Sequence, residues 1–384
     1  MNRKTKPESP SGTGRFQEVL LTGLTDLSFF RNKSISESLK KGNFILAEAQ
    51  IKPLIANRSK VTLRTLMLWS WFVLISLVTL FLSPKKIRAV LRSETCFFGY
   101  PSNLCFVEMA IVKHVFRKTV IFDPFIFLSD TIVDDRRYTS LRAAKKFLSI
   151  IDKCGVRSAS VVLADCSGHA EYLLRNFGVN GETLHVGAND DLFFPDRSFR
   201  QNDDNEVLKL YTHSTFIPLH GLHTLVDAMS LIDAKKFHLR VAGFGQEYCE
   251  VSRRVEASGL SNVALLGMIP QDSLRAEILA SDLCLGIFGS SEKSKRVIPQ
   301  KFFEFIACAK PVLTQFSLSY TSDLSPAFYS TNNPENLATV LEEIYQSRDV
   351  LPERGSALYE AYCSKYGLKA RDREVQRIFA SHSD

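Results

Sequence analysis

Two charged residues one turn apart on a predicted helix are the first pair that could do chemistry. Lys301 and Glu304 follow Pro299 in the segment VIPQKFFEFIACAKPVLT, 297–314. A spacing of three residues puts both on one helix face. An ionised Glu only accepts hydrogen bonds and can accept from both hydroxyls of a ribose. A Lys beside it supplies a point charge for a diphosphate. The pair indicates nucleotide binding, and a solvated surface ion pair of little energetic weight is the alternative.

A glycine pair at the end of a predicted strand is the second candidate. The segment VAGFGQE, 241–247, runs from an apolar strand into Gly243 and Gly245, and a helix is predicted after them. Glycines let the backbone approach a phosphate, and a helix start offers free N–H groups and a positive dipole end. This is not the full G-x-G-x-x-G fingerprint. An ordinary turn is therefore the alternative.

A charged loop lies between these two segments. The apolar strand expected at 282–288 ends in a loop that precedes the helix of Lys301. Its polar and glycine residues are Gly289, Ser290, Ser291, Glu292, Lys293, Lys295 and Arg296. Loops at the carboxyl ends of parallel strands are where α/β sheets bind ligands.

The elements that must position these residues alternate between short apolar strands and helices, which predicts two consecutive α/β sheets of parallel strands. Such sheets bind ligands at the carboxyl ends of their strands, so the cleft between the domains is the expected site. In the first half the last strand is expected at 183–186 and a helix at 136–153. The expected organisation is a disordered tail at 1–16, a first domain at 17–195, a linker at 196–206, a second domain at 207–365, and a C-terminal helix at 366–384 that packs back toward the first domain.

Composition divides the chain in the same way. Residues 1–200 hold 29 Lys and Arg against 18 Asp and Glu, whereas residues 201–384 hold 19 against 23. The basic half is expected to face an anionic partner such as a phosphate-bearing lipid or glycan, or merely to differ in surface charge. No recognition motif accompanies the charge, which argues against nucleic acid. The eight Cys form no C-x-x-C pair and are expected to be small buried residues in a reducing compartment.

The ordered set of motifs resembles the family-4 retaining glycosyltransferases. In the second half the resemblance is carried by YTHSTFIPLHGL at 211–222, VAGFG at 241–245, NVALLG at 262–267, SDLCLGIF at 281–288 and the segment at 297–314. In the first half it is carried by FDPFIFLSDT at 122–131, ADCSGHAEY at 164–172 and VGANDDLFFP at 186–195. The resemblance implies a GT-B fold, in which two Rossmann-like domains face each other across a cleft.

The resemblance also implies roles for single residues. Gly243 and Gly245 would lie near the donor diphosphate, Glu304 would hold the ribose, and Lys301 and the loop before it would lie near the phosphates and the sugar. The sequence departs from the family pattern at positions 214, 220 and 296. Arg296 stands where many relatives have the first Glu of a Glu-x7-Glu pair, and Glu292, four positions earlier, is a doubtful sugar contact. His220 stands where many relatives have a Lys and is expected to donate to a phosphate. Ser214 replaces a Gly.

The mechanism implied by the resemblance is metal-independent transfer with retention at the anomeric carbon. Helix dipoles and cationic side chains would stabilise the leaving nucleoside diphosphate, and no cofactor or metal is expected. A catalytic base is expected from the first domain, with Asp123 and Asp130 as candidates and a turn and a helix cap as their alternative roles. His169 precedes a helix and is equally consistent with a structural role.

The expected function is therefore transfer of a sugar from a nucleotide-sugar to a glycan or lipid-linked acceptor, as in polysaccharide biosynthesis. Two alternatives remain. One is a nucleotide-sugar epimerase-like enzyme on the same fold, which needs acids and a His in the cleft. The other is a degenerate, non-catalytic, membrane-associated subunit, which the departures at Ser214, His220 and Arg296 allow.

An uncharged segment at 65–83, TLMLWSWFVLISLVTLFLS, interrupts the alternation. It is apolar all round at helical spacing, and its length is at the low end for a membrane span. Basic residues flank it on both sides, and a span would separate the strands before it from the rest of their sheet. We expect an in-plane helix that docks a cytoplasmic protein on the inner face of the membrane. A buried core helix and a single span are the alternatives.

Overall fold

Two parallel six-stranded sheets, each alternating with helices, make up the fold. The computed structural model describes residues 16–51, 63–131, 145–196, 206–315 and 322–382. The α/β class with two Rossmann-like sheets is confirmed. Most of the expected tail and linker lies outside the described residues, as do 136–144 of the helix expected at 136–153.

The first sheet has the strand order β2-β1-β3-β4-β5-β6. Its strands are β1 Gln17–Leu21, β2 Phe44–Glu48, β3 Thr95–Phe98, β4 Thr119–Phe122, β5 Val161–Ala164 and β6 Gly181–Thr183. Its helices are α1 Phe30–Lys41, α2 Leu63–Leu82, α3 Pro84–Arg92, α4 Phe106–His114, α5 Lys145–Ser158 and α6 Ser167–Phe177. Residues of β3, β4 and β5 are buried along their length, as expected for parallel strands covered on both faces.

The strand expected at 183–186 was placed too late in the chain. β6 begins at Gly181 and ends at Thr183. A Cβ on Gly181 would lie 2.6 Å from a methyl carbon of Leu173, so the glycine lets the strand approach α6. Leu184 and Val186 are apolar because they are buried after the strand has ended, which is why they resemble strand residues in the sequence.

The second sheet has the strand order β12-β11-β10-β7-β8-β9. Its strands are β7 Leu208–Ser214, β8 Phe237–Gly243, β9 Val263–Gly267, β10 Leu283–Leu285, β11 Val312–Thr314 and β12 Phe328–Tyr329. The helices that follow are α7 Leu222–Met229, α8 Tyr248–Ala257, α9 Gln271–Ala280, α10 Glu292–Arg296, α11 Gln300–Ala307, α12 Pro334–Gln346, α13 Leu351–Ala361 and α14 Leu368–Ser381. β7 lies at the centre and pairs with both β8 and β10, so its carboxyl end reaches the middle of the domain edge.

The last helix, α14, packs on the first domain. Phe379 contacts the ring of Phe97 on β3 at a centroid distance of 5.8 Å. Asp372 accepts hydrogen bonds from Ser38 Oγ at 2.5 Å and from Lys41 Nζ at 3.0 Å, both on α1. The chain therefore ends against the sheet with which it began.

The helix α2 is fastened to the first domain by a buried carboxylate. Glu108 on α4 lies 2.8 Å from Lys86 Nζ and accepts from Ser76 Oγ at 2.6 Å and from Thr22 Oγ1 at 3.1 Å. These four residues are buried and come from α2, α3, α4 and the end of β1. Within the residues that the structure describes, no helix is long and apolar enough to cross a membrane.

Removing Glu108 should destabilise the first domain strongly. Glu108→Ala leaves the Lys86 ammonium buried without its carboxylate, which costs about 3–5 kcal/mol when one partner of a buried pair is lost. We expect that loss in the free energy of unfolding from urea titration. The matched double variant Lys86→Met with Glu108→Leu removes both charges and should lose much less. Equal losses in the two proteins would show that the ion pair does not fasten α2.

Candidate functional site

The candidate site forms where β7 and β8 end beneath the helix α11. The register pairs Ser214 with Gly243, so the last residues of both strands lie side by side. The whole of α11 from Lys301 to Ala307 is buried, because Phe302, Phe303, Phe305 and Ile306 occupy the core around it. This packing carries two charged residues of the helix into the domain beside the strand ends.

Glu304 is held by two neighbours. Its Oε2 lies 2.8 Å from His213 Nε2 at the end of β7, and its Oε1 accepts from Gln300 Nε2 at 2.9 Å. The side chain of Glu304 is 9% exposed. A carboxylate has about four lone-pair sites, so the two contacts leave acceptor capacity for a ligand. The arrangement fits a group that accepts hydrogen bonds from ligand hydroxyls.

Lys301 donates from Nζ to Thr212 Oγ1 at 3.0 Å, and Thr212 in turn donates to the carbonyl of Leu285 at 2.7 Å. Burial lowers the pKa of Lys301 to about 7, and the nearby charge of Glu304 only partly offsets this. The solvated surface pair with Glu304 is therefore not what the structure shows. A lysine with a near-neutral pKa is a feature that clusters at functional sites.

The two glycines of the strand end are required by packing. A Cβ on Gly243, which has φ +118°, would lie 1.9 Å from the carbonyl oxygen of Ser214. A Cβ on Gly245 would lie 1.9 Å from the carbonyl oxygen of Thr215. The loop after β8 thus rests directly on the loop after β7. This contact accounts for both glycines and leaves their backbone at the same edge as Glu304.

His220 is positioned by the serine that stands in place of a glycine. Ser214 Oγ lies 2.6 Å from His220 Nδ1 and accepts from the backbone N–H of Phe216 at 2.8 Å. The next residue, Gly221, has φ +64°, and a Cβ there would lie 2.1 Å from the carbonyl carbon and oxygen of Phe288. The 218–221 turn therefore closes against the start of the charged loop at 289–296.

The charged loop expected at 289–296 contains the short helix α10, Glu292–Arg296, which reaches the first domain. Arg296 donates from Nη2 to Asp130 Oδ2 at 2.6 Å and lies over the ring of Tyr172 at 4.2 Å. Lys293 Nζ lies 3.7 Å from the same oxygen of Asp130. Glu292 is directed to solvent and pairs with Lys295 at 2.7 Å. Asp130, a candidate for the catalytic base, and Arg296, a predicted donor residue, are thus brought together as an ion pair between the domains.

Asp123 lies deeper, at the end of β4. Its Oδ2 accepts from Arg31 Nε at 2.5 Å, and Oδ1 has no partner among the described residues. Burial raises the pKa of Asp123, and Arg31 partly offsets it. His169 Nδ1 lies 2.6 Å from Asp165 Oδ1. Burial alone would raise the pKa of Asp165, but His169 and Arg31 more than offset it, so it is lowered.

Several of these partners were missed from the sequence. His213, Gln300 and Thr212 hold the two charges of α11, and Arg31 holds Asp123. The signal for His213 is its place in the polar end of an otherwise apolar strand, LKLYTHS. Among the residues that the structure describes, no group of three or more His, Cys, Asp or Glu is placed to hold a metal ion.

These two facing α/β domains, with the site at the strand ends of the second, define the GT-B fold class. No family model matches the sequence, and no curated protein sequence matches it. Solved structures do match, at a level of identity that shows the fold. Three of them cover 94% to 95% of this chain and nearly all of their own, and one of the three is described as a glycosyltransferase.

Sucrose-phosphate synthase of Thermosynechococcus elongatus has a TM-score of 0.73 and 14% identity over 95% of this chain and 98% of its own. HepE of Anabaena, solved in complex with UDP and glucose, has a TM-score of 0.67 and 14% identity over 95% of this chain and 100% of its own. WaaG, a glycosyltransferase involved in lipopolysaccharide biosynthesis, has a TM-score of 0.65 and 13% identity over 94% of this chain and 99% of its own.

The buried Lys301 should make stability rise with pH above neutrality. Its pKa is lowered in the folded chain to about 7 and is ordinary when unfolded, so between pH 7 and 10 the unfolded chain binds the extra proton. The free energy of unfolding should then increase by up to about 1.4 kcal/mol per pH unit from this residue. Urea titrations at pH 7, 8 and 9 measure it, with Lys301→Met as the comparison because it shares every other group. Identical pH slopes in the two proteins would contradict the buried, deprotonating lysine.

Proposed function

We propose that the protein transfers a sugar from a nucleoside diphospho-sugar to a glycan or lipid-linked acceptor, with retention at the anomeric carbon. The observation that carries the proposal is the burial of Glu304 and Lys301 at the strand ends of the second GT-B domain. Solved structures of the same fold include WaaG, which is described as a glycosyltransferase, and HepE in complex with UDP and glucose. Polysaccharide biosynthesis is the class of process into which this activity fits.

On the donor side, Glu304 would accept from the ribose hydroxyls while His213 and Gln300 hold its orientation. Lys301 and His220, with the backbone of Gly243 and Gly245, would meet the diphosphate. Preorganised donors aimed at developing charge are the largest single contribution in many enzymes. These groups would stabilise the leaving diphosphate without a cofactor. A bound diphosphate would raise the pKa of Lys301, because a neighbouring anion favours the charged form of the amine, and Lys301 would then bind a proton from solvent.

On the acceptor side, the two predicted acids have different surroundings. Asp130 neutralises Arg296 and Lys293 across the cleft in this arrangement. A donor phosphate would compete for the same cations and release the carboxylate. Asp123 stays paired with Arg31. We therefore propose Asp130 as the catalytic base, because its carboxylate is freed when the donor binds. Asp123 is proposed as a buried anchor of Arg31.

An epimerase-like reaction is the second candidate, and one observation favours it. His169 Nδ1 lies 2.6 Å from Asp165 Oδ1, and the charge of Asp165 contributes to the raised pKa of Asp123, so two acids and a His lie at the ends of β4 and β5 in the first domain. Product analysis separates the two reactions: transfer gives a new glycoside and free nucleoside diphosphate, whereas epimerisation returns a nucleotide-sugar with no acceptor needed.

The helix α2 supplies a surface for a membrane-borne acceptor. Along its outer side seven large apolar residues are exposed: Met67, Trp71, Leu74, Ile75, Val78, Phe81 and Leu82. Their spacing puts them on one stripe of the helix, while Ser76 and Leu80 face the domain. Lys85, Arg88 and Arg92 are exposed on α3, directly after the stripe. We propose that this stripe docks on the inner face of the membrane, in its plane, with the basic residues on anionic lipid.

Replacing Glu304 should cripple turnover and leave the fold intact. Glu304→Ala removes a charged acceptor, and a hydrogen bond to a charged group contributes about 1.5–3 kcal/mol. The expected loss in kcat/KM is roughly ten- to hundredfold, measured as release of nucleoside diphosphate. The control is Glu343→Ala, which removes an exposed glutamate from α12. Unchanged kinetics in Glu304→Ala would remove this residue from the donor site.

Apolar residues of the α2 stripe should be needed for vesicle binding. We expect wild-type protein to co-sediment with vesicles that contain an anionic phospholipid, and the triple variant Trp71→Ser, Leu74→Ser, Val78→Ser to stay in the supernatant. The control variant, Leu231→Ser with Met268→Ser, removes equally exposed apolar residues from the second domain. Equal sedimentation of the triple variant and wild type would contradict in-plane docking.

A further inference from the structure

Three aromatic residues from three loops meet at the edge of the first sheet. Phe29 follows β1, Tyr100 follows β3 and Phe125 follows β4, and these strands are neighbours in the sheet. The ring centroids lie 5.1 Å apart for Phe29 and Tyr100, 4.9 Å for Phe29 and Phe125, and 6.1 Å for Tyr100 and Phe125. The carboxyl ends of parallel strands are where α/β sheets bind ligands.

The backbone of Phe125 is strained in order to place its ring. Phe125 has φ +56°, and the N–H of Ile126 donates to the carbonyl of Pro124 at 2.6 Å. This is a γ-turn with positive φ, a rare and strained form, and a bulky residue with positive φ is a genuine outlier. Outliers of this kind cluster at ligand-binding and active sites.

A buried amide holds the strained turn. Asn103 Nδ2 donates to the carbonyl of Ile126 at 2.7 Å and to that of Pro124 at 3.4 Å. Asn103 is 2% exposed and lies just before α4. The turn is therefore fixed from inside the domain, and the position of the Phe125 ring is built into the fold.

The three rings lie between the interior and the surface. Each keeps part of its side chain exposed, so none belongs to the closed core. Phe125 also packs against the apolar cluster that joins the two domains, which includes Phe193 of the first domain and Phe302 of the second. The guanidinium of Arg31 lies 5.9 Å from the Phe125 centroid. The rings thus lie on the first domain where the second domain approaches it.

We propose that Phe29, Tyr100 and Phe125 form a platform on which one pyranose ring of the acceptor stacks, a proposal that rests on the proposed function. The C–H groups of a pyranose face carry a small positive charge and pack on the negative face of an aromatic ring. The hydroxyls of the sugar extend sideways and remain hydrated or hydrogen-bonded. The three rings are inclined at 50°, 65° and 65° to one another, so the sugar would stack on the face of one ring while the other two hold that ring in place. The apolar cluster against which Phe125 packs contains residues of both domains, so the sugar would lie between them.

The test removes the Phe125 ring without disturbing its backbone. Glycine adopts positive φ at no steric cost, so Phe125→Gly relieves the strain while deleting the ring. Phe125→Tyr keeps the ring, and Tyr329→Ala deletes an exposed aromatic from the edge strand of the other domain. The probes are the methyl glycosides of glucose, galactose, mannose and N-acetylglucosamine at millimolar concentration, observed by saturation-transfer difference NMR.

We expect saturation transfer from wild type, Phe125→Tyr and Tyr329→Ala to at least one glycoside. The saturation transfer from Phe125→Gly to that glycoside should be at least fivefold weaker. Phe29→Leu, a second deletion from the same cluster, should also reduce it and serves if Phe125→Gly fails to fold. No saturation transfer from wild type, or saturation transfer from both Phe125→Gly and Phe29→Leu that equals that of wild type, would overturn the platform. Binding of UDP, GDP and ADP to the same variants is measured in parallel. If wild type binds a nucleotide but shows no saturation transfer to any glycoside, the platform alone is rejected. If wild type binds none of the three nucleotides, the proposed function is rejected.

Discussion

The buried pair of charges on α11 is the constraint on which the candidate site depends. A buried charge is costly unless it is hydrogen-bonded or its pKa shifts. Glu304 meets this condition through His213 and Gln300, and Lys301 through Thr212 and a pKa lowered to about 7. Both partners on β7 lie in its last three residues. The central strand must therefore end where α11 crosses it, which fixes the edge of the second domain as the site.

The loops around this edge are fixed by close backbone contacts. The glycines at 243 and 245 let the loop after β8 rest on the loop after β7, and Gly221 lets the next turn meet the charged loop. That loop then reaches the first domain through Arg296 and Asp130. Each contact links one strand end to the next, so the loops of the candidate site form a continuous packed layer that reaches from the second domain to the first.

Much of the fold could be predicted from the sequence because its strands are short, apolar and fully buried. The apolar strand that runs into Gly243 and the helix that carries Lys301 and Glu304 were both predicted, and the structure has them as β8 and α11. The failure at 183–186 arose because apolar residues are also buried just after a strand. Glu304 and Lys301 were found from their helical spacing. His213 and Arg31 were not, because their role follows from contacts between elements 91 and 92 residues apart in the chain.

The pairing of Asp130 with Arg296 shows the same limit. Each residue was singled out for a different reason, one as a candidate catalytic base and the other as a donor residue, and they are 166 positions apart. Only the relative placement of the two domains brings them within 2.6 Å. The sequence therefore identified the polar residues of the candidate site. Which of them form buried pairs and which form contacts between the domains could only be seen in the structure.

Hydrogen exchange with and without a nucleoside diphosphate tests the central claim most directly, because it locates the donor site without an identified acceptor. The full chain is compared alone and with UDP, GDP or ADP, and exchange is followed by mass spectrometry. The account predicts that at least one nucleotide slows exchange in the backbone at 211–222, 241–247 and 289–304. Slower exchange confined to the first domain, or no change with any of the three, would contradict it.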